Sequence, residues 1–449
     1  MSIESTAAAA AAARSEMASH TAYQRLAKLF DEGVFTEIDA FTRSASGYAG
    51  VVAGRGQVDG IGVFAFAQDR ASNGGAMSSA QAAKIRKVYD LALKTGSPVV
   101  AMYDSLGGQL EEGCDLLGAY GEVLKYTNNL SGVVPQISVV LGPCFGTQAL
   151  IAAAGDVVIM SRKASLSLHT DGTEADAEKN AACGVAHVVC ETEEEAIRAA
   201  ARLLSLLPAN NLDAAGCAEF DLPEVTSGDA VAMIADLGST VELSAAFGSG
   251  ARTLLGTVEG ETVGFVELSG KELGGKACAK AARMVRFCDA FNLPIVTLLN
   301  AESFGCLKGA AKLSCAYAEA TAPKITLITG SAFGAVYIAA AGTGAAADMT
   351  YAWEEAFVSP LSPEAAAYIA LTEEYGGKLK GQKDPAAARA AVVEDYKQTH
   401  LTALRAAEKG YVDEIIPAEN SRTAVAGALE LISDKRVSTL PKKHTNFML

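Results

Sequence analysis

The sequence predicts an α/β protein made of two tandem domains related by internal duplication, and three observations support this prediction. Residues 135–147 align with residues 323–335 without a gap; each copy is an apolar run, a glycine, a Phe-Gly pair and the start of an Ala-rich run. The chain has 449 residues, more than one hydrophobic core usually organises, and half of them are apolar. A strand that turns through glycine into a helix gives such a pattern, and alternating strands and helices favour largely parallel sheets.

The elements of the first half follow from local patterns. Residues 54–64 contain two apolar runs around an Asp-Gly pair, which predicts a β-hairpin. Apolar residues then recur at helical spacing and predict a helix over about 79–94. An apolar strand at 97–104 follows, then the repeated strand and turn, and an Ala/Glu-rich helix over about 193–206.

The second half repeats these elements in the same order. Residues 256–266 predict the matching hairpin, 275–291 a helix, 293–300 a strand and 323–335 the second strand and turn. The expected domains are a flexible leader at 1–21, an N-terminal domain at 22–225 and a C-terminal domain at 226–449.

Composition excludes several classes of function. The formal net charge of −15 disfavours sequence-independent binding to nucleic acid. Nine cysteines without a CxxC pair suggest reduced thiols in a cytoplasmic protein. Five histidines without an HxxxH or HExxH motif suggest that the protein binds no metal.

The repeated turn carries a chemical implication. A strand that turns into a helix leaves backbone N–H groups free at the helix N-terminus, where they can stabilise a negatively charged oxygen. Two copies indicate two such sites, and therefore a reaction that involves two carbonyl groups.

Further motifs resemble one family. The chain resembles the carboxyltransferase subunits of biotin-dependent acyl-CoA carboxylases and decarboxylases, including the acetyl- and propionyl-CoA carboxylase beta type and the methylmalonyl-CoA decarboxylase alpha type. The resemblance spans residues 22–449 and implies two crotonase-like (ClpP/crotonase) domains. The motifs that carry it are RLAKLFDEGVF at 25–35, QD at 68–69, DSLGG at 104–108, EG at 112–113, GPC at 142–144, GVAH at 184–187, RFCDAFN at 286–292 and GYVDE at 410–414.

The resemblance implies transfer of CO2 between N1 of biotin and the α-carbon of an acyl-CoA. Loss of CO2 from carboxybiotin leaves a negative ureido oxygen, and deprotonation of the acyl-CoA gives a thioester enolate. Each oxygen needs preorganised donors. Because N1 of biotin can itself take the α-proton, the reaction requires no protein base, and the sequence offers no convincing acid–base pair.

The same resemblance suggests site residues. Gly146 and Thr147 would donate their N–H groups to the thioester oxygen, and Gly334 and Ala335 would serve the biotin oxygen. The other residues implied to contact a ligand are Gly74, Gly75, Phe145, Phe333 and Ile338.

These further residues have different implied roles. Gly74 and Gly75 resemble the family's loop around the CoA ester, and Ile338 falls where the family lines the acyl pocket. The family's first turn usually reads Gly-Pro-Cys-Ala-Gly-Gly, so Phe145 and Thr147 should narrow the acyl site. A loop expected at 300–309 is shorter than in the family and flanks the approach of biotin.

Other polar residues have simpler interpretations. His187 is expected to satisfy a backbone hydrogen bond, and Asp104 to cap the loop that follows its strand. Arg55, Lys84 and Lys87 are candidates for binding CoA phosphates, but solvation at the protein surface is the favoured explanation for each.

Partners also follow from the resemblance. The chain has no Ala-Met-Lys-Met biotinylation motif and no ATP-grasp phosphate loop. Biotin should therefore arrive on a separate biotin carboxyl carrier protein, with a biotin carboxylase or a membrane decarboxylase subunit as further partners. In this family the active site lies between the first half of one subunit and the second half of another, which implies a homo-oligomer from dimer to hexamer.

Several alternatives stay open at this point. The acyl group and the direction of transfer are not specified by the sequence, so the chain could be the alpha subunit of a sodium-pumping decarboxylase. A biotin-independent crotonase-type hydrolase or decarboxylase is a further enzymatic alternative. From a different class, a non-catalytic scaffold that binds CoA is also compatible with the sequence.

Overall fold

The computed structural model describes residues 3–44, 47–169, 175–224, 228–344, 346–371, 384–437 and 441. The chain divides into two compact units, Met1–Gly216 with Ser244–Ala246, and Cys217–Leu243 with Phe247–Leu449. The boundary expected between residues 225 and 226 lies outside the described residues. The segment expected to be a flexible leader contains a helix, Ile3–Ala18, whose described side chains are mostly exposed. Its many alanines explain why it is helical, since alanine has the highest helix propensity.

The first unit contains an eight-stranded mixed sheet and a separate two-stranded ribbon. Its strands are β1 Phe35–Glu37, β2 Arg43–Ser44, β3 Gly47–Tyr48, β4 Val51–Val58, β5 Ile61–Gln68, β6 Val99–Ser105, β7 Gln136–Phe145, β8 Val157–Ser161, β9 Ser165–Ser167 and β10 Val188–Cys190. Its helices are α1 Ile3–Ala18, α2 Thr21–Leu29, α3 Ser79–Thr95, α4 Asp115–Leu130, α5 Thr147–Ala153, α6 Ala177–Cys183 and α7 Glu193–Ser205. The strand order is β1-β4-β5-β6-β7-β8-β10, and β9 pairs with β7.

The second unit contains another eight-stranded sheet. Its strands are β11 Val241–Leu243, β12 Ala251–Val258, β13 Glu261–Leu273, β14 Ile295–Phe304, β15 Lys324–Phe333, β16 Met349–Trp353, β17 Phe357–Ser359 and β18 Glu414–Ile416. Its helices are α8 Ala230–Ile234, α9 Gly275–Ala290, α10 Leu307–Glu319, α11 Ala335–Ala340, α12 Pro363–Leu371, α13 Pro385–His400, α14 Ala403–Ala407 and α15 Ser421–Ile432. The order β11-β12-β13-β14-β15-β16-β18, with β17 on β15, repeats that of the first sheet and confirms the duplication.

Each sheet has one antiparallel hairpin followed by parallel strands. In the first unit β4 and β5 are antiparallel, whereas β5, β6, β7 and β8 are parallel to their neighbours. Asp59 and Gly60 turn the first hairpin, Glu259 and Gly260 turn the second, and all four have positive φ angles. Positive φ at both central residues defines the type I′ turn, which matches the twist of paired strands.

The first helix that follows each hairpin lies where the sequence predicts it. The side-chain oxygen of Ser78 accepts the N–H of Gln81 at the start of α3, and Gly96, with φ of 60°, ends the helix. Helices α3 and α9 pack on their own sheets, and the parallel strands of each unit end at a common edge. Binding sites of α/β proteins form at such edges.

Candidate active site

Each unit carries the same glycine turn at the carboxyl end of a parallel strand of 10 residues. Gly146 follows β7 with φ of 64° and ψ of −136°, and Gly334 follows β15 with φ of 51° and ψ of −121°. Glycine adopts this conformation readily, whereas other residues are strained in it. Helices α5 and α11 begin at the next residue, so Thr147 and Ala335 occupy equivalent first helical positions.

The two glycine amides are used within the sheets. The N–H of Gly146 donates to the carbonyl of Ser167 at 3.0 Å, and that of Gly334 donates to the carbonyl of Ser359 at 2.8 Å. These bonds extend the pairing of β7 with β9 and of β15 with β17. The structure therefore corrects the expectation that these two amides are free donors: the glycines turn the chain and anchor the neighbouring strand.

The amide that follows each glycine belongs to Thr147 in the first turn and to Ala335 in the second. Thr147 and Ala335 have no acceptor for their backbone N–H within the described part of the chain. The first residues of a helix have no intrahelical acceptor, which explains why these donors are left over. In the first turn Gln148 is also buried, and neither atom of its side-chain amide has a hydrogen-bond partner among the described residues. Sequence reasoning did not single out Gln148.

The Gly74–Gly75 loop lies at the same edge of the first sheet. Both glycines have positive φ, at 65° and 71°. The carbonyl of Gly74 accepts the N–H of Leu106 at 3.0 Å, which ties the loop to the carboxyl end of β6. Because β6 pairs with β7, the structure places the predicted CoA loop and the first turn on adjacent strand ends.

The second unit has a pocket of about 510 Å³ beside its turn. Ile338 is 61% exposed and gives the pocket apolar surface, whereas Phe333 is 3% exposed and is not part of the lining. Phe145, its counterpart in the first turn, is half-buried. The lining residues are Gly334, Tyr337, Ile338, Val358, Ser359, Pro360, His400, Leu401, Arg405, Ala406, Lys409 and Tyr411.

A tyrosine borders the same pocket. The hydroxyl of Tyr337 donates to the carbonyl of Tyr411 at 2.5 Å, and burial raises the pKa of Tyr337 to about 12. This phenol is therefore protonated at neutral pH and is a hydrogen-bond donor. The pocket beside the Gly334 turn therefore has an apolar side chain at Ile338 and a polar hydroxyl at Tyr337.

The segment 300–309 is not a loop. Strand β14 continues to Phe304 and pairs with the long strand β13 as far as Leu273, and α10 begins at Leu307. The structure therefore corrects the expectation of a loop at 300–309, since strand pairing and the start of α10 occupy most of this segment. The side-chain oxygen of Asn300 accepts the N–H of Ser331 at 2.9 Å.

Other candidate residues have structural partners. The Nδ1 atom of His187 accepts the N–H of Val158 at 2.8 Å, which confirms the expected backbone hydrogen bond. Lys84 is fully buried and bonds Glu37 at 3.2 Å; burial lowers the pKa of Lys84, although Glu37 opposes this effect. Lys87 is also ion-paired, so neither lysine presents an unpaired ammonium to a CoA phosphate.

The nine cysteines are free thiols, and burial raises the pKa of Cys144 beside the first turn. No group of three His, Cys, Asp or Glu residues within the described ranges could hold a metal ion. In the same part of the chain, every helix is too short or too polar to cross a membrane.

Comparison with known proteins agrees with this geometry. The sequence model of the carboxyl transferase domain family matches residues 14–447. The methylmalonyl-CoA decarboxylase alpha subunit of Veillonella parvula is 34% identical over 96% of this chain and 93% of its own length. The propionyl-CoA carboxylase beta chain of Saccharopolyspora erythraea is also 34% identical, over 96% of this chain and 90% of its own length.

A solved structure is similar over both units. The transcarboxylase 12S subunit, described as a hexamer with methylmalonyl-coenzyme A and methylmalonic acid bound, is 32% identical. Its TM-score is 0.87, with 95% of this chain and 92% of that chain covered. The expected duplicated crotonase-like fold is thereby confirmed. This chain belongs to the carboxyl transferase domain family and is an enzyme of the carboxyltransferase class.

Proposed function

We propose that this carboxyltransferase moves a carboxyl group between carboxybiotin, held on a separate carrier protein, and the α-carbon of a short acyl-CoA. The acyl-CoA is acetyl- or propionyl-CoA in one direction and malonyl- or methylmalonyl-CoA in the other. The duplicated turn carries this proposal, because each unit offers a helix-initial amide at the same point of the same fold. The names of the relatives support acyl-CoA as the substrate class.

The first unit serves the acyl-CoA. The amide of Thr147 donates to the thioester oxygen, whose negative charge grows as the α-proton leaves. One preorganised donor of this kind stabilises the transition state by about 2.7–4 kcal/mol. Gly74 and Gly75, on the neighbouring strand end, admit the CoA ester close to the backbone. The half-buried ring of Phe145 narrows the acyl site.

The second unit serves biotin. The amide of Ala335 donates to the ureido oxygen, while the pocket beside Gly334 and Ile338 accepts the bicyclic ring. Carboxybiotin, when bound, supplies the carboxyl group as CO2, and its N1 can then take the α-proton. The protein's own contribution is to bind both oxygens and hold the reacting atoms in line while the new C–C bond forms.

Partners complete the proposal. Biotin arrives on a biotin carboxyl carrier protein, and a biotin carboxylase or a membrane decarboxylase subunit completes the complex. We place the chain in a homo-oligomer between dimer and hexamer, as the hexameric transcarboxylase 12S structure suggests. Equal identity to a decarboxylase subunit and to a carboxylase subunit supports a second candidate, the alpha subunit of a sodium-pumping decarboxylase.

The test is decarboxylation of malonyl-CoA and methylmalonyl-CoA by the purified chain, with and without free biotin. We expect turnover that requires biotin, and the faster substrate identifies the acyl group. Turnover that ignores biotin would assign the chain to the biotin-independent enzymes. Binding of malonyl-CoA without any turnover, with free biotin or with a biotinylated carrier, would instead favour the non-catalytic scaffold.

A further inference from the structure

A buried chain of hydrogen bonds connects the CoA loop to Asp104. The Nε2 atom of Gln81 donates to the carbonyls of Gly50 at 3.1 Å and Gly75 at 3.4 Å. The Oε1 atom of Gln81 accepts from Gln68 at 3.1 Å, and Gln68 in turn accepts the backbone N–H of Asp104 at 3.2 Å. Both glutamine side chains are fully buried. The loop and the end of β6 are therefore linked through two side chains.

Asp104 also touches two glycines that belong to different parts of the proposed acyl site. Its carbonyl lies against Gly75, where an added Cβ would approach the oxygen closer than 3.0 Å. Its carboxylate lies over Gly142 on β7, where an added Cβ would likewise come closer than 3.0 Å. Gly142 does not have a positive φ, so this close approach is what favours glycine there. Asp104 therefore contacts both the loop and β7, the strand that leads into the turn at Gly146.

An ion pair fixes the orientation of this carboxylate. The guanidinium of Arg25 bonds Oδ2 of Asp104 at 2.8 Å and also holds Glu193 at 2.8 and 3.1 Å. The side chains of Arg25 and Asp104 are 7% and 8% exposed, so each charge depends on its partner. The structure thereby corrects the expectation that Asp104 caps the following loop. Its Oδ1 atom has no partner among the described residues, and the adjacent Pro143 has no N–H to offer.

The second unit repeats the arrangement with an amide. Asn300 ends the equivalent stretch of β14, and an added Cβ at Gly330 would come closer than 3.0 Å to its side chain. Here Ser331 replaces proline and donates its N–H to Asn300 at 2.9 Å. The recurrence shows that the close approach is a property of the duplicated fold, whereas the charge belongs to the first unit.

We propose that Asp104 is the positioning residue for the acyl-CoA half of the reaction. It sets the spacing between the Gly74–Gly75 loop and the turn at Thr147, so that one thioester can contact both. The inference rests on the proposed function of these two elements. Asp104 acts through Gly75 and Gly142 and touches no reacting atom.

A double-mutant cycle tests the proposal. Gly142→Ala pushes the carboxylate of Asp104 aside, and Asp104→Ala removes this carboxylate. Each single variant should lower kcat for biotin-dependent malonyl-CoA decarboxylation about 10²-fold and should raise KM for malonyl-CoA. The double variant should be no slower than Asp104→Ala, because the new methyl group enters vacated space. Asp104→Asn, which keeps the shape, should stay within about tenfold of the wild type. KM for biotin should not change in any variant.

A matched control separates positioning from stability. Gly56→Ala, in the same unit, places a Cβ closer than 3.0 Å to Phe30, so it should lower Tm without changing kcat or KM. Additive losses in the double variant would overturn the proposal, as would wild-type kinetics in folded Asp104→Ala. If the wild type binds malonyl-CoA but transfers no carboxyl group, the proposed function is wrong but the proposal for Asp104 is not yet decided. The same cycle, measured on the Kd for malonyl-CoA, then decides the role of Asp104.

Discussion

Replacement of Thr147 by proline should remove the proposed oxyanion donor and little else. Thr147 is the first residue of α5, and its N–H has no acceptor within the described residues. Proline is favoured at this helical position because the missing N–H is not needed there and φ is already suitable. Since no backbone hydrogen bond is lost, we expect Tm to change by no more than about 2 °C. In contrast, kcat should fall about 10²- to 10³-fold, the usual effect of deleting one oxyanion donor.

The assay is malonyl-CoA decarboxylation with free biotin, measured over both substrate concentrations. KM for biotin should stay unchanged, because we propose that the other turn binds the biotin oxygen. Thr147→Ala is the matched control: it keeps the N–H, removes the exposed hydroxyl and should remain within about threefold of the wild type. Wild-type kcat in a folded Thr147→Pro variant would refute the reasoning. An equally slow Thr147→Ala variant would do the same, since the side chain would then carry the effect.

Three further predictions concern the second turn, stability and thiol reactivity. Ala335→Pro should lower kcat about 10²-fold while leaving KM for malonyl-CoA unchanged, and kinetics with wild-type kcat would contradict the assigned donor. Asp236→Asn should reduce the free energy of unfolding by about 3 kcal/mol in a urea titration, because buried Asp236 bonds Arg422 at 2.6 Å. Burial raises the pKa of Asp236, but its hydrogen bonds hold this pKa below the ordinary value. Its contribution to stability is therefore present above about pH 4 and is lost as the pH falls through the folded pKa; a stability loss in the variant that grows on acidification would refute this. A thiol reagent should label exposed Cys114 quickly and buried Cys144 only after unfolding. The Cys144→Ala variant should keep most of the activity. A folded but inactive variant would contradict a site whose donors are all backbone amides.

The sequence repeat predicted more than the order of the elements. Because residues 135–147 and 323–335 share their pattern, they were expected to share a turn, and Gly146 and Gly334 have nearly equal dihedral angles. The helix expected at 79–94 spans Ser79–Thr95. Local patterns suffice for such features, since hairpin turns, helix caps and glycine conformations depend on a few neighbouring residues.

Other features depend on contacts between distant residues. The amide of Gly146 donates to the carbonyl of Ser167. Ser167 belongs to a strand of three residues, which is too short to be predicted from a periodic sequence pattern. Lys84 looks like a surface cation on a helix, yet its ammonium is buried against Glu37. The proposed role of Asp104 depends on Arg25 from a distant helix, and no spacing rule brings these two side chains together.

The proposed backbone donors would account for the lack of a recognisable acid–base pair in the sequence. If the donors are backbone amides, the chemistry depends on where the chain turns and not on which side chains it carries. The residues that must then be retained are those that allow the turn, such as Gly146 and Gly334 with their positive φ. Residues that set the spacing of the elements, such as Gly142 beneath Asp104, form a second class. Under this proposal the side chains at Thr147 and Ala335 can differ, as they do, because both residues keep the backbone N–H.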